Sequence, residues 1–136
     1  MSASRIKRIL YIDDDSDDRF FLSQSLAESS ETTSLVCATG GVEAMHYLNS
    51  LMDTELPSLI ILDINMPKHN GMQLLGYMKS HPHVNHIPVV ILSTSGSPGN
   101  KEACARLGAH SYFQKPFHFD GYKEVVNSLK PILGLS

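Results

Sequence analysis

Several residues able to handle phosphate or a hard cation stand where hydrophobic runs stop. Ile9 to Ile12 runs into Asp13, Asp14 and Asp15, and Leu59 to Leu62 runs into Asp63. Val89 to Leu92 runs into Ser93 and Thr94, and Tyr112 to Gln114 into Lys115 and Pro116. Short continuous apolar runs read as strands buried on both faces, and if these strands are parallel all four ends meet on one edge. Asp13, Asp14 and Asp63 would then share a crevice and repel one another, so protons or a cation must neutralise them. A hard divalent ion that prefers oxygen ligands, above all Mg²⁺, meets that need. The ion would draw in a phosphate, sharing its charge with the Lys115 ammonium and the Ser93 hydroxyl. With phosphoryl oxygens held in this way, the nearest carboxylate can attack phosphorus in line and become an aspartyl phosphate.

The elements that must position these groups alternate regularly along the chain. Ile6 to Ile12 reads as the first strand, and Ser16, followed by Asp17 and Asp18, as the N-cap of a helix reaching about Glu28, with Phe21, Leu22 and Leu26 on its apolar side. Ser34 to Ala38 is a second strand. Ala44, Met45, Leu48, Leu51 and Met52 then recur at helical spacing. Pro57 precedes the strand Leu59 to Leu62, and Pro67 and Gly71 bracket the turn that Asp63 opens. Asn70 and Gly71 start a third helix with Met72, Leu75 and Met78 inward, ended by His81 and Pro82. Val89 to Ser93 is the fourth strand and Ser95 to Gly99 a polar loop. A fourth helix carries Ala103, Cys104 and Leu107 and is closed by Gly108. His110 to Gln114 is the fifth strand, and Tyr122, Val125, Val126 and Leu129 mark a last helix that Pro131 ends or kinks.

Five strands alternating with five helices predict an α/β fold: a three-layer, doubly wound (βα)5 flavodoxin-like sandwich with parallel sheet order 2-1-3-4-5. Ligands in such sheets bind beyond the carboxyl ends of the strands, where strand order reverses. That point brings together Asp13, Asp14 and Asp63, with Ser93 and Lys115 alongside. The chain has 136 residues, 42% of them hydrophobic, which suits one domain over 1–136 with its core at about 6–130 and no output domain. Net charge is -3 and the 11 Lys and Arg are scattered, so the sequence argues against nucleic acid or an anionic membrane as partner. The two cysteines, Cys37 and Cys104, suit a reduced compartment better than a disulfide scaffold. With no signal-peptide h-region or membrane-length run, a cytoplasmic location is expected.

Asp13-Asp14 after a hydrophobic strand, Asp63-Ile64-Asn65-Met66-Pro67, Ser93 after Val89 to Leu92, and Lys115-Pro116-Phe117 together resemble the signature of the response-regulator receiver domain of two-component signalling. The likeness runs from about Ile9 to Leu129 with every motif in order. It implies that Asp63 accepts a phosphoryl group from a sensor histidine kinase, a histidine phosphotransfer protein or a small phosphodonor. It implies that Asp14, Asp63 and the Asn65 carbonyl bind Mg²⁺, with Asp13 acting largely through water. Ser93 and Lys115 would hold phosphoryl oxygens. Ser93 and an inward-turning Tyr112 would act as the switch, altering the face of helix 4, strand 5 and helix 5 that a downstream protein reads, in a monomer or a phosphorylation-linked dimer. Lys79 to Ser95 is most similar to stand-alone regulators of the phytochrome-associated kind. Thr94 departs from the commoner Ala or Gly, and could narrow access to Asp63. Ser93 replaces the commoner Thr, and either hydroxyl can donate a hydrogen bond.

Other readings compete with these. Ile9 to Asp15 also resembles the opening motif of haloacid-dehalogenase-type phosphatases, in which Asp13 would be nucleophile and Asp15 the acid/base; only Asp120 and Glu124 follow Lys115 as a later acidic pair. A receiver fold used as a non-phosphorylated binding module is the third reading, against which the intact acidic cluster argues. Asp15, Asp17 and Asp18 read as cap and solvated first-turn charges. His81, His83 and His86 read as a surface loop, Tyr112 as switch or ordinary strand aromatic, and Met45, Met72 and Met78 as core. Phe117, His118 and Phe119 are the candidates for an exposed contact.

Overall fold

In the computed structural model, which describes residues 6–29, 32–66 and 70–135, the apolar runs pair into one parallel sheet. Its strands are Lys7–Ile12 (β1), Thr33–Ala38 (β2), Leu59–Leu62 (β3), Val89–Ser93 (β4) and Ser111–Gln114 (β5), in the expected order 2-1-3-4-5. Five helices alternate with them: Ser16–Ser29 (α1), Gly41–Asn49 (α2), Gly71–Ser80 (α3), Pro98–Arg106 (α4) and Gly121–Leu129 (α5). Ile12 pairs with Leu62, Leu62 with Ile91 and Ile91 with Tyr112, so the carboxyl ends of four strands lie level.

Because side chains alternate along a strand, the sheet feeds two separate cores. Leu10, Ile12, Ile60, Leu62, Val89 and Ile91 pack with Ala44, Leu48, Leu75, Met78 and Cys104 on one face. On the other, Ile9, Tyr11, Leu59, Ile61, Val90 and Leu92 pack with Leu22, Leu26, Tyr122, Val126 and Leu129. Each such side chain, buried, contributes about 1.5–3 kcal/mol, which holds the strand ends rigid beneath a polar rim.

Some local features differ from the sequence expectations. The α1 cap is Asp15 and not Ser16: its Oδ1 accepts from the amides of Asp17 (2.8 Å) and Asp18 (3.1 Å), and a carboxylate suits the positive end of the helix. Helix α2 stops at Asn49, and Met52, exposed, leads into a single 3₁₀ turn, Asp53–Glu55. Pro98 and Gly99 belong to α4 and not to a loop, since Ser97 caps the Asn100 amide and Pro98 fits the first helical turn. Strand β5 starts at Ser111, one residue after the expected His110. Asn70 caps α3 as expected, its side chain accepting from the Gln73 amide, while Pro67 lies outside the described residues. Gly71 is required there, because a Cβ would stand 2.4 Å from the Ile64 Cα and 2.9 Å from the Asp63 carbonyl oxygen. Gly108 follows α4 with φ 102°, where glycine is the natural occupant.

Candidate functional site

Asp13 and Asp63 each extend their strand by one residue, with the Asp13 amide bonded to the Ala38 carbonyl and the Asp63 amide to the Ile12 carbonyl. Both follow the parity of Tyr11 and Ile61, and so face the α1/α5 side. Lys115 follows Phe113 on that same side, its amide bonded to the Ser93 carbonyl at 2.6 Å. Ser93 has the parity of Val89 and Ile91 and belongs to the opposite face. The residues named from the sequence therefore converge on one edge from both faces of the sheet.

One ligand oxygen from each of Asp13, Asp14 and Asp63 lies within 4.8 Å of the other two, and this is the one such grouping of metal-ligating side chains among the described residues. Asp13 and Asp63 are buried and Asp14 is exposed, so the cluster is anchored below and open above. An oxygen-only donor set carrying three negative charges fits a hard divalent cation. The open cleft above it, about 400 Å³, is lined by Asp14, Asp18, Asp63, Asn65, Thr94 and Lys115 among others. A larger groove of about 510 Å³ between α2 and α3 has a mainly apolar lining and no such convergence of charges.

The Lys115 ammonium is 7% exposed and touches three carboxylates: Asp18 at 2.6 Å, Asp13 at 2.8 Å and Asp63 at 3.1 Å. Burial alone pulls its pKa down, but hydrogen bonds to Asp13 and Asp18 and the charges of Asp13 and Asp63 outweigh that, leaving it above the ordinary lysine value. The group is a cation at any physiological pH. For Asp13 the balance falls the other way. Burial raises its pKa, and the hydrogen bonds from Lys115, Tyr11 and the Asp15 amide only partly oppose that.

Two phenols that the sequence reading placed in no functional role close the polar network from below. The Tyr11 hydroxyl donates to Asp13 Oδ2 at 2.5 Å, and the Tyr122 hydroxyl donates to Asp18 Oδ1 at 2.9 Å. Burial, then hydrogen bonding or charge from the paired aspartate, pushes both phenols above the ordinary tyrosine range. Asp18 is thus not a solvated first-turn charge. It is half-buried and bridges α1 to Lys115. Its position in the first helical turn concealed this, because acidic residues are favoured there for a local reason.

On the other side of the cleft, Asn65 Nδ2 donates to Ser93 Oγ at 2.6 Å and to Thr94 Oγ1 at 3.2 Å. The Asn65 backbone amide itself donates to Asp63 Oδ1 at 2.9 Å, which fixes that carboxylate. Tyr112 is half-buried against the α2/α3/α4 core, and its hydroxyl donates to the Ser95 carbonyl at 2.6 Å. Phe117 is 91% exposed as expected, but Phe119 is not an exposed contact: its ring packs on Phe21 with centroids 5.8 Å apart. His83 holds the loop after α3 by contacts with Asp53 (3.2 Å) and the Leu51 carbonyl (3.1 Å), so the histidines there serve a structural loop. Asp15 Oδ1 is engaged as the α1 cap, which gives this residue of the phosphatase reading a structural role.

A doubly wound parallel sheet carrying three carboxylates and a buried lysine at its carboxyl edge defines a phosphate-handling α/β protein of the receiver class. Residues 9–127 match the response regulator receiver domain model, and the chain belongs to that family of two-component signalling proteins. Response regulator Rcp1 of Synechocystis sp. is 32% identical over 127 residues, covering 91% of this chain and 86% of that one. The crystal structure of the phosphorylated cyanobacterial phytochrome response regulator RcpA superposes with TM-score 0.84 at 30% identity, covering 94% of each chain. That of the Mn(2+)-bound form of response regulator Rcp1 gives TM-score 0.79 at 29% identity over 91% of each chain. Some relatives are longer: the chain is 34% identical over 121 residues to a probable cyclic di-GMP phosphodiesterase of Vibrio cholerae, of which it spans 26%. The chain is a signal transducer of the receiver type, its acidic cluster suits a divalent metal, and receivers work with histidine kinases and downstream proteins. Among the described residues no helix is long and apolar enough to cross a membrane.

Proposed function

We propose that Asp63 is the phosphoacceptor of this receiver domain, charged by a sensor histidine kinase or a histidine phosphotransfer protein. The observation that carries this reading is Asp63 itself: 3% exposed, 3.1 Å from the Lys115 ammonium and grouped with two further carboxylates at the mouth of the sheet. A carboxylate oxygen of Asp63 attacks phosphorus, forming the acyl phosphate O–P bond as the P–N bond to the donor imidazole breaks. The imidazole leaves with its electron pair and takes a proton. Lys115 stays protonated and donates to the phosphoryl oxygens, and Ser93 donates its hydroxyl proton once released from its present partners. Asp13, Asp14, Asp63 and the Asn65 carbonyl would hold the metal, which we assign as Mg²⁺. When bound, it supplies charge neutralisation of the phosphoryl oxygens.

Phosphorylation biases Ser93 and Tyr112 toward a second packing, and a downstream protein reads the α4–β5–α5 face; the chain acts in the cytoplasm as a monomer or a phosphorylation-linked dimer. Intact-mass spectrometry after incubation with acetyl phosphate, with and without Mg²⁺, tests the reading. A phosphoryl adduct that requires Mg²⁺ and is lost in Asp63→Asn supports it. A wild-type protein that gains no adduct overturns it.

A further inference from the structure

The Lys115 ammonium donates hydrogen bonds to Asp18 at 2.6 Å and Asp63 at 3.1 Å and is ion-paired with Asp13 at 2.8 Å. Asp63 is the longest of the three, and Asp18 the shortest. Asp18 is in turn held through its other oxygen by the Tyr122 hydroxyl at 2.9 Å, and Tyr122 is 1% exposed within the α1/α5 core. Asp13 is fixed by the Tyr11 hydroxyl, which donates at 2.5 Å to the same Oδ2 that faces Lys115. The lysine is therefore gripped from two sides by carboxylates, each pinned by a buried phenol that cannot swing without disturbing the core. A long flexible side chain so gripped keeps its ammonium turned toward Asp63.

We propose that Asp18, fixed by Tyr122, is a positioning residue for phosphoryl transfer. It takes one ammonium hydrogen of Lys115 so that, with the Asp13 carboxylate paired beside it, another points at Asp63 and at the oxygens of a phosphoryl group arriving there. This rests on Asp63 being the phosphoacceptor. The arrival of a phosphoryl group needs only the longest of the three bonds to be redirected, and the two shorter ones stay in place. The geometry of the donor is thus set before the reaction, and orientation of this kind is where misplacement is most costly to rate. Asp18 is not one of the three clustered carboxylates, and it acts through Lys115.

The test is the rate of adduct formation from acetyl phosphate at saturating Mg²⁺ for wild type, Asp18→Ala, Tyr122→Phe and the double variant. Asp18→Ala is expected to slow the reaction about 10- to 100-fold, with Mg²⁺ affinity by calorimetry close to wild type. Tyr122→Phe keeps the ring and every charge, and should slow it about 3- to 10-fold, the worth of one hydrogen bond. In the Asp18→Ala background Tyr122→Phe should cost nothing more, because its only route to the reaction has been removed. The ¹⁵N signal of the Lys115 ammonium should broaden or shift in both single variants. A wild-type rate in Asp18→Ala, a faster one, or a Tyr122→Phe penalty of equal size in both backgrounds overturns the positioning role while leaving Asp63 as acceptor. Absence of an adduct on wild type would instead remove the phosphoacceptor reading on which the role depends.

Discussion

Asp14→Asn should stabilise the metal-free protein while weakening its hold on Mg²⁺. Asp14 is exposed, takes part in no side-chain hydrogen bond or ion pair recorded for the site, and has carboxylate oxygens of Asp13 and Asp63 within 4.8 Å. At that separation each repulsion is about 3.5 kcal/mol at an effective dielectric of about 20, but only about 0.9 kcal/mol in water. Because Asp14 faces solvent the lower figure governs, and two such repulsions give about 1–2 kcal/mol of relief when its charge is removed. For a domain of this size that is about 0.5–1.5 M in the urea midpoint. Urea unfolding followed by circular dichroism, in chelator and again in excess Mg²⁺, separates the two effects. In chelator the variant should unfold later than wild type. In Mg²⁺ the order should reverse, since wild type gains ligand-linked stability that the variant loses. A variant less stable than wild type in chelator would refute the view of the cluster as mutually repelling charges held for a cation.

Three further outcomes are expected. Gly71→Ala puts a Cβ 2.4 Å from the Ile64 Cα, so the backbone carrying Asp63 must move; a loss of about 1–3 kcal/mol in urea unfolding and slower adduct formation should follow, and near-neutral behaviour would contradict the packing. The raised pKa of buried Asp13 means that, in the metal-free protein, it contributes stability below the ordinary carboxyl pKa of about 4, which is lost as pH rises through the higher folded value. The same proton competes with metal, so calorimetric Mg²⁺ affinity should begin to fall on acidification at a pH above that of ordinary carboxylates, and Asp13→Asn should flatten the dependence. Asn65→Ala removes the donor that engages Ser93 Oγ at 2.6 Å, worth about 1 kcal/mol, and should shift the NMR signals of Ser95 and Tyr112 toward their positions in the phosphorylated protein. Unchanged signals would mean that the amide does not restrain the switch.

What could be read from sequence was what repeats or punctuates. Strands β1, β3 and β4 announce themselves as apolar runs because both their faces are buried, and the polar residue ending each run falls on the sheet edge by topology alone. Asp13, Asp63 and Ser93 are therefore legible at the edge from these runs, and Lys115 from the end of the shorter run Tyr112 to Gln114. Contacts made across the fold were hidden. Tyr11 reads as one more strand residue, and its hydroxyl bond to Asp13 depends on strand parity meeting the sheet's end. Asp18 and Tyr122 are 104 positions apart, and Asp18 looks like an ordinary charge favouring a helix start. The α1 cap is ambiguous for a related reason: in the run Asp13-Asp14-Asp15-Ser16 both of the last two read as competent caps, and only the backbone geometry decides for Asp15.

The two faces of the sheet divide the site into a fixed half and an adjustable one. On the α1/α5 side, Asp13, Asp18 and Lys115 are bound to phenols rooted in the core, or to one another, and each buried bond lost would leave a charge unpaired. That half can hold a phosphoryl group but has little freedom to report one. On the opposite side, the Ser93 hydroxyl is engaged by the exposed amide of Asn65 and by the Ser95 amide at 3.2 Å, while Tyr112 holds the Ser95 carbonyl from β5. These bonds are few, neutral and close to solvent, so exchanging the Asn65 partner of Ser93 for a charged phosphoryl oxygen trades a weaker hydrogen bond for a stronger one. Movement of Ser93 then disturbs the Ser95 segment, and through its carbonyl the Tyr112 side chain, which also lies 5.9 Å beneath the Lys101 ammonium of α4. On the proposed function the signal would run toward α4 and β5, because that is the side on which bonds are cheap to exchange, and the clamped side would give it a rigid base to push against.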